Sequence, residues 1–131
     1  MDIEVTRDVL DAMRDAARAE FPLEACGILL GDEKRIDSLR VTQNAHVWPE
    51  NRFEIDPRAL IDAHRTERAG GAKVVGYFHS HPSTISKPSN KDREMAAHDG
   101  KVWAIQGTDG VTFWRDDEAD FTPLSYREVD A

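Results

Sequence analysis

The stretch Lys73-Val-Val-Gly-Tyr-Phe-His79 constrains this chain more than any other. Both of its alternating sets of side chains are apolar, so it reads as a central strand covered on both faces rather than as a sheet edge. It stops at His79-Ser80-His81-Pro82, and the Pro/Ser/Thr-rich segment 82–88 that follows reads as a loop. The rest of the chain must supply neighbouring strands and the layers that cover them.

Residues 6–20 read as a helix with Thr6 as N-cap and Val9, Met13, Ala16, Ala17 and Phe21 along one face, ended by Pro22. Residues 25–31 read as a buried strand that turns through Asp32-Glu33-Lys34 into a second strand near 35–43. Phe53-Glu-Ile55 reads as a short strand, with Asp56 capping a helix whose first residue is Pro57 and which runs to about Ala69, before Gly70-Gly71. A third helix starts at Ser89. Strands near 102–107 and 110–115 are joined by Thr108-Asp109-Gly110, and a last strand lies near 121–127. Frequent hairpins among helices predict an α+β fold of one domain, residues 1–131. Its central sheet is mixed and largely antiparallel, with about six strands and about three packed helices.

Composition narrows the partners. The 131 residues are 40% hydrophobic and 32% charged, a globular balance. Seventeen Lys and Arg stand against 25 Asp and Glu, a net charge of -8, which disfavours phosphate backbones and anionic membranes alike. The amino-terminal end lacks the basic and apolar regions of an export signal, and no apolar run is long enough for a membrane helix. A single cysteine, Cys26, cannot form an internal disulfide and suits a reducing cytoplasm. Its apolar strand makes it an inert core residue rather than a nucleophile.

His79 and His81 are two apart at a strand end, so both imidazoles project to the same side, as two nitrogen ligands of a zinc ion would. The loop returns the chain to the first turn of the third helix, where Asp92 can add an oxygen ligand and leave a fourth position open for water. An HxH pair alone is a weak signal. Ser89-x-x-Asp92 is also a capping box, and on spacing alone the cap is the better explanation. A ligating Asp92 is not expected to reach back to the cap. Glu24, between apolar neighbours, should be desolvated and its pKa raised toward that of a general base, although an ordinary strand-edge charge reads the same way.

Glu24, then His79-Ser80-His81-Pro82, seven residues, and Ser89-x-x-Asp92 resemble the signature of the JAMM (MPN-plus, JAB-domain) zinc metallopeptidases. The likeness extends to Pro22-x-Glu24-Ala-Cys-Gly-Ile-Leu-Leu-Gly31, Phe53-Glu-Ile-Asp-Pro57 and Gly76-Tyr-Phe-His79, and is closest to short stand-alone bacterial members. The resemblance implies that fold, related to the cytidine-deaminase-like architecture, and one zinc per chain held by His79, His81 and Asp92. It implies Glu24 as general base toward a zinc-bound water and Ser89 as stabiliser of the tetrahedral intermediate. It also implies a cytoplasmic enzyme cutting an amide or isopeptide after the Gly-Gly tail of a ubiquitin-like sulfur carrier. A chain this short leaves little room for the insertions that clamp polyubiquitin. Trp48, in the loop 44–52, with Phe53 and Ser80, is read as lining the substrate groove. A homodimer is left open.

The alternatives are a non-enzymatic scaffold of the same fold and a zinc hydrolase of small peptides or amides. Scaffolds of this type lose ligands, and none is missing here. A two-histidine phosphoesterase through His64-x-Thr66 and His81-x-Ser83 fails because His64 falls on a helix, and the motifs of a zinc deaminase are absent. His46, His64 and His98 read as surface residues, with His98 close enough to cap the end of the third helix. Trp103 and Trp114 read as packing, and Asp116-Asp117-Glu118 as a solvated turn.

Overall fold

The computed structural model describes residues 3–130. Met1, Asp2 and Ala131 lie outside it, and with them the first residues of the end read above as lacking an export signal. The elements run β1 (Ile3–Thr6), α1 (Arg7–Glu20), β2 (Cys26–Gly31), β3 (Arg35–Thr42), α2 (Pro57–Arg68), β4 (Lys73–Ser80), α3 (Asn90–Met95), β5 (Val102–Gly107), β6 (Gly110–Asp116), β7 (Phe121–Leu124) and β8 (Tyr126–Val129). All eight strands share one sheet in the order β7-β6-β5-β4-β2-β3-β1-β8. β4 is interior, antiparallel to β2 and parallel to β5. Among the described residues, no helix is long and apolar enough to cross a membrane.

The sheet is mixed and mostly antiparallel, but it has eight strands rather than six. β1 is four residues long and its β-partner β8 lies at the other end of the chain, so no local period marks it. The stretch 121–127 splits after Leu124: β7 pairs with β6 at one edge of the sheet, and β8 with β1 at the other. The strand expected at 53–55 is instead a single bridge from Ile55 to Asn44.

Alternation along the strands sorts side chains between two faces. Leu29, Ile36, Phe78, Ala104 and Phe113 pack with Val9, Leu10, Met13 and Ala16 of α1. Ile28 faces the other way, and the register shift against β2 at Leu29/Leu30 turns Val74 to the same side, both against Ala59 and Ala63 of α2. The interior β4 therefore has helices over both faces, as its composition requires. Gly76 is where β5 first pairs with β4. A Cβ there would lie 1.7 Å from the Val102 carbonyl oxygen, so only glycine admits the approach.

Local signals place the helices well. Thr6 Oγ1 accepts the Val9 N–H, and Asp56 accepts the Arg58 N–H ahead of Pro57. Gly70, at φ 93, takes the left-handed conformation after α2. The apolar face of α1 departs from expectation at its end: Phe21 is 65% exposed, because the chain leaves the sheet after Ala16 and Ala17 is only half-buried.

Candidate active site

β4 delivers His79 into a wholly buried position and His81 one residue beyond the strand. The His79 ring stacks on Phe53, with centroids 4.3 Å apart, and meets Trp103 edge-on at 5.6 Å. These contacts fix its plane. The His81 ring is fixed from the other side, by Nδ1 2.8 Å from the Ile85 carbonyl oxygen. A hydrogen bond there makes Nδ1 the donor and leaves Nε2 as the free acceptor of the neutral ring.

The capping box of α3 brings the third group. Ser89 Oγ accepts the Asp92 N–H at 3.0 Å, while Asp92 Oδ2 accepts the Ser89 N–H at 2.9 Å. Asp92 Oδ1 is 3.1 Å from His79 Nε2, and Oδ2 is 3.1 Å from His81 Nε2. One carboxylate thus reaches both the cap and the two histidines. A carboxylate has about four lone-pair sites, enough for both.

The two Nε2 atoms lie 3.1 Å apart. His79, His81 and Asp92 are all buried, and their ligand atoms lie within 4.8 Å of one another, a group able to hold a metal ion. The electrostatics differ from residue to residue. Burial is the main influence on His79 and lowers its pKa, keeping it neutral as a ligand must be. Burial opposes charge on His81 too, but the bonds to Asp92 and to the Ile85 carbonyl outweigh it and raise its pKa. Burial likewise opposes charge on Asp92, yet the two imidazoles and the Ser89 N–H hold its carboxyl well below the usual carboxylate range.

Glu24 lies just before β2 and is 5% exposed. Its backbone is tied on both sides: its N–H donates to the Pro49 carbonyl at 2.7 Å, and its own carbonyl accepts from Asn44 Nδ2 at 3.0 Å. Its carboxyl is pushed up to about 8, mainly by burial, with His81 opposing and Asp92 reinforcing the shift. Glu24, His81 and Ser89 line one cleft of about 240 Å³.

The other residues assigned by sequence distribute differently. Ser80, largely buried, is among the residues lining the larger cleft at His81 and Pro82, and its hydroxyl accepts the Ala25 N–H at 2.8 Å, so it also ties the Glu24 segment to β4. Phe53 supports His79 from a buried position. Trp48 is 56% exposed with Arg52 over its ring, and its neighbours Glu50 and Asn51 line the cleft in its place. Cys26 is buried, its thiol pushed up to about 11 chiefly by burial, which suits an inert residue. Asp116 is not part of a solvated turn. It is 1% exposed and accepts the N–H groups of Ala97 and His98, so the chain beyond α3 is capped by Asp116 and not by His98.

Two supports escaped sequence reasoning. Asn44 makes four hydrogen bonds, to the carbonyls of Glu24 and Arg52 and from the N–H groups of His46 and Glu54, pinning the loop beside Glu24. The loop 82–88 is clamped by the β5–β6 hairpin: Asp109 accepts the Ser86 N–H at 2.8 Å, and Trp114 Nε1 and Thr112 Oγ1 donate to the Ser86 carbonyl. No short-range pattern announces either, because the bonds from Asn44 to Glu24 and from the β5–β6 hairpin to Ser86 join residues 20 or more apart.

The family described as prokaryotic homologs of the JAB domain matches residues 6–117. A desampylase of Haloferax volcanii is 32% identical over 104 residues, 78% of this chain and 75% of that protein. A probable TtuB-protein conjugate cleaving protease of Thermus thermophilus is 30% identical over 107 residues, 82% of this chain and 71% of that one. A solved structure described as the JAMM metalloprotease-like zinc site in the proteasome and signalosome superposes at TM-score 0.61 with 19% identity, covering 99% of this chain and 100% of that one, a likeness of fold.

Proposed function

Because this chain belongs to the family of prokaryotic homologs of the JAB domain, we propose that it is a zinc-dependent isopeptidase. Its substrate is an amide bond following the C-terminal Gly-Gly tail of a ubiquitin-like sulfur carrier. The observation that carries this reading is the convergence of His79 Nε2, His81 Nε2 and Asp92 in a buried group beside a cleft that Glu24 also lines. The relatives support the substrate class, one being a desampylase and another a probable TtuB-protein conjugate cleaving protease.

The donor set fits zinc: two imidazole nitrogens and one carboxylate leave one tetrahedral position free, as catalytic sites require. The two ring nitrogens and an Asp92 carboxylate oxygen lie within 4.8 Å of one another, close enough to share one cation. When bound there, zinc would polarise the scissile carbonyl and acidify the attacking water. Glu24, buried and poised near neutral pH, takes up that water's proton and passes it to the leaving amine. Ser89 Oγ accepts from Asp92 N–H, which leaves its own O–H free to donate to the oxygen where negative charge develops. His79, His81 and Asp92 would hold the ion.

The test is the Glu24→Gln protein assayed on a carrier joined through its Gly-Gly terminus to a lysine ε-amine. It should retain about one zinc per chain by elemental analysis and lose turnover by about 10²- to 10⁴-fold. Wild-type protein that binds zinc but cleaves no such conjugate would leave the scaffold alternative standing.

A further inference from the structure

Two clefts meet at His81 and Pro82. The one lined by Glu24 and Ser89 is the smaller, at about 240 Å³; the other measures about 640 Å³. This larger cleft, the wide groove, is lined by Arg14, Arg18 and Phe21 of the α1 segment, by Thr108 of the β5–β6 turn, and by His81 and Pro82. Positions 14, 17, 18 and 21 form a single helical stripe, so these side chains face the groove together. All three of Arg14, Arg18 and Phe21 are exposed.

The charge of this groove runs against that of the molecule. The chain has 25 acidic residues against 17 basic ones, yet two arginines and no carboxylate line the wide groove among the described residues. Arg14 lies 3.4 Å from Asp11, whereas Arg18 has no ion pair among the described residues. A cationic groove in an anionic surface attracts anionic chains and repels cationic ones, which gives selectivity more than raw affinity. Size separates the two arms of an isopeptide. A strand of two glycines has no side chains to place and suits the smaller cleft, while the arm bearing side chains needs the larger one.

We propose that the wide groove receives the acceptor arm of the substrate, the segment around the lysine whose ε-amine departs, and that Arg14 and Arg18 select acceptors flanked by aspartate or glutamate. Phe21 offers an apolar surface to the same segment. This assignment rests on the isopeptidase reading above. Arg14 and Arg18 act on which conjugate is cleaved and touch none of the reacting atoms.

The experiment compares three conjugates of one Gly-Gly-tailed carrier, linked to the lysine of short peptides whose flanking residues are acidic, neutral or basic. The acidic conjugate should show a KM roughly fivefold below the neutral one, with kcat unchanged, as expected of two exposed charge pairs. The preference should shrink with added salt and invert in the Arg14→Glu/Arg18→Glu double variant. Anisotropy of the labelled acidic peptide alone, on zinc-loaded protein, gives a reading that does not depend on cleavage. Equal KM values for all three conjugates, or a preference that survives charge reversal, would overturn the groove assignment while leaving the isopeptidase intact. Arginine-dependent peptide binding without cleavage of any conjugate would keep the groove and overturn the isopeptidase. Absence of both overturns both.

Discussion

Glu24 and Asp92 are buried carboxyls whose charge states are driven in opposite directions. Asp92 stays ionised because two imidazoles and a backbone N–H face it, whereas Glu24 rises from 4.5 to about 8 because burial dominates its surroundings. In metal-free protein the folded state therefore holds a proton on Glu24 that the unfolded chain has already lost. The stability this contributes is full below pH 4.5 and drains away as pH rises toward about 8. The Glu24→Gln protein has no such proton to lose. In thermal melts of chelator-treated samples, it should therefore gain on wild type steadily from about pH 5 to about pH 8; a constant difference would remove burial as the cause. Ser89 and Asp92 separate in the same kind of measurement. Ser89→Ala should cost about 1 kcal/mol of cap stability and leave zinc content intact, while Asp92→Ala should lose both. The motif residues themselves were legible in the sequence. That one carboxylate could serve a cap and two histidines was not, since the answer depends on where three elements bring their atoms.

At the scale of elements, the site is held by what surrounds β4. The loop 82–88 carries the Ile85 carbonyl that orients His81, and the β5–β6 hairpin clamps that loop through Asp109, Thr112 and Trp114. Asp109→Ala should weaken zinc affinity by about tenfold in competition with a chelating dye, without touching any ligand, the usual effect of removing a group that orients a ligand. An unchanged affinity would mean that the remaining bonds hold the loop alone. Gly76 supports the opposite side of the site by admitting β5. Gly76→Ala puts a methyl into the Val102 backbone, and a loss of more than about 4 kcal/mol, seen as failure to fold or as a collapsed denaturant midpoint, is expected. Helix ends were legible because caps are local. The strand at 53–55 was misread because an apolar triplet looks alike whether it pairs in a ladder or, as here, sends Phe53 against His79.

For the whole molecule, metal and fold are linked. Zinc that binds the folded chain alone should stabilise it by about 2.7 kcal/mol at a free concentration a hundred times Kd, a rise in Tm of about 10 °C for a chain of this size. His81→Ala should abolish the zinc-dependent part of that rise. A Tm indifferent to zinc in the wild type would count against the three-residue site as a whole.

The amino-acid sequence by itself determined the helix boundaries, the interior strand, the family and the residues of the candidate site, because caps, apolar runs and motif spacing are properties of neighbours along the chain. Only the tertiary structure decided that β8 closes the sheet beside β1, that Ser80 and Asn44 hold the Glu24 segment, and that two unlike clefts meet at His81. Each of these joins residues far apart in sequence, and contacts of that kind are chosen by packing and hydrogen-bond satisfaction across the whole sheet rather than by any local pattern.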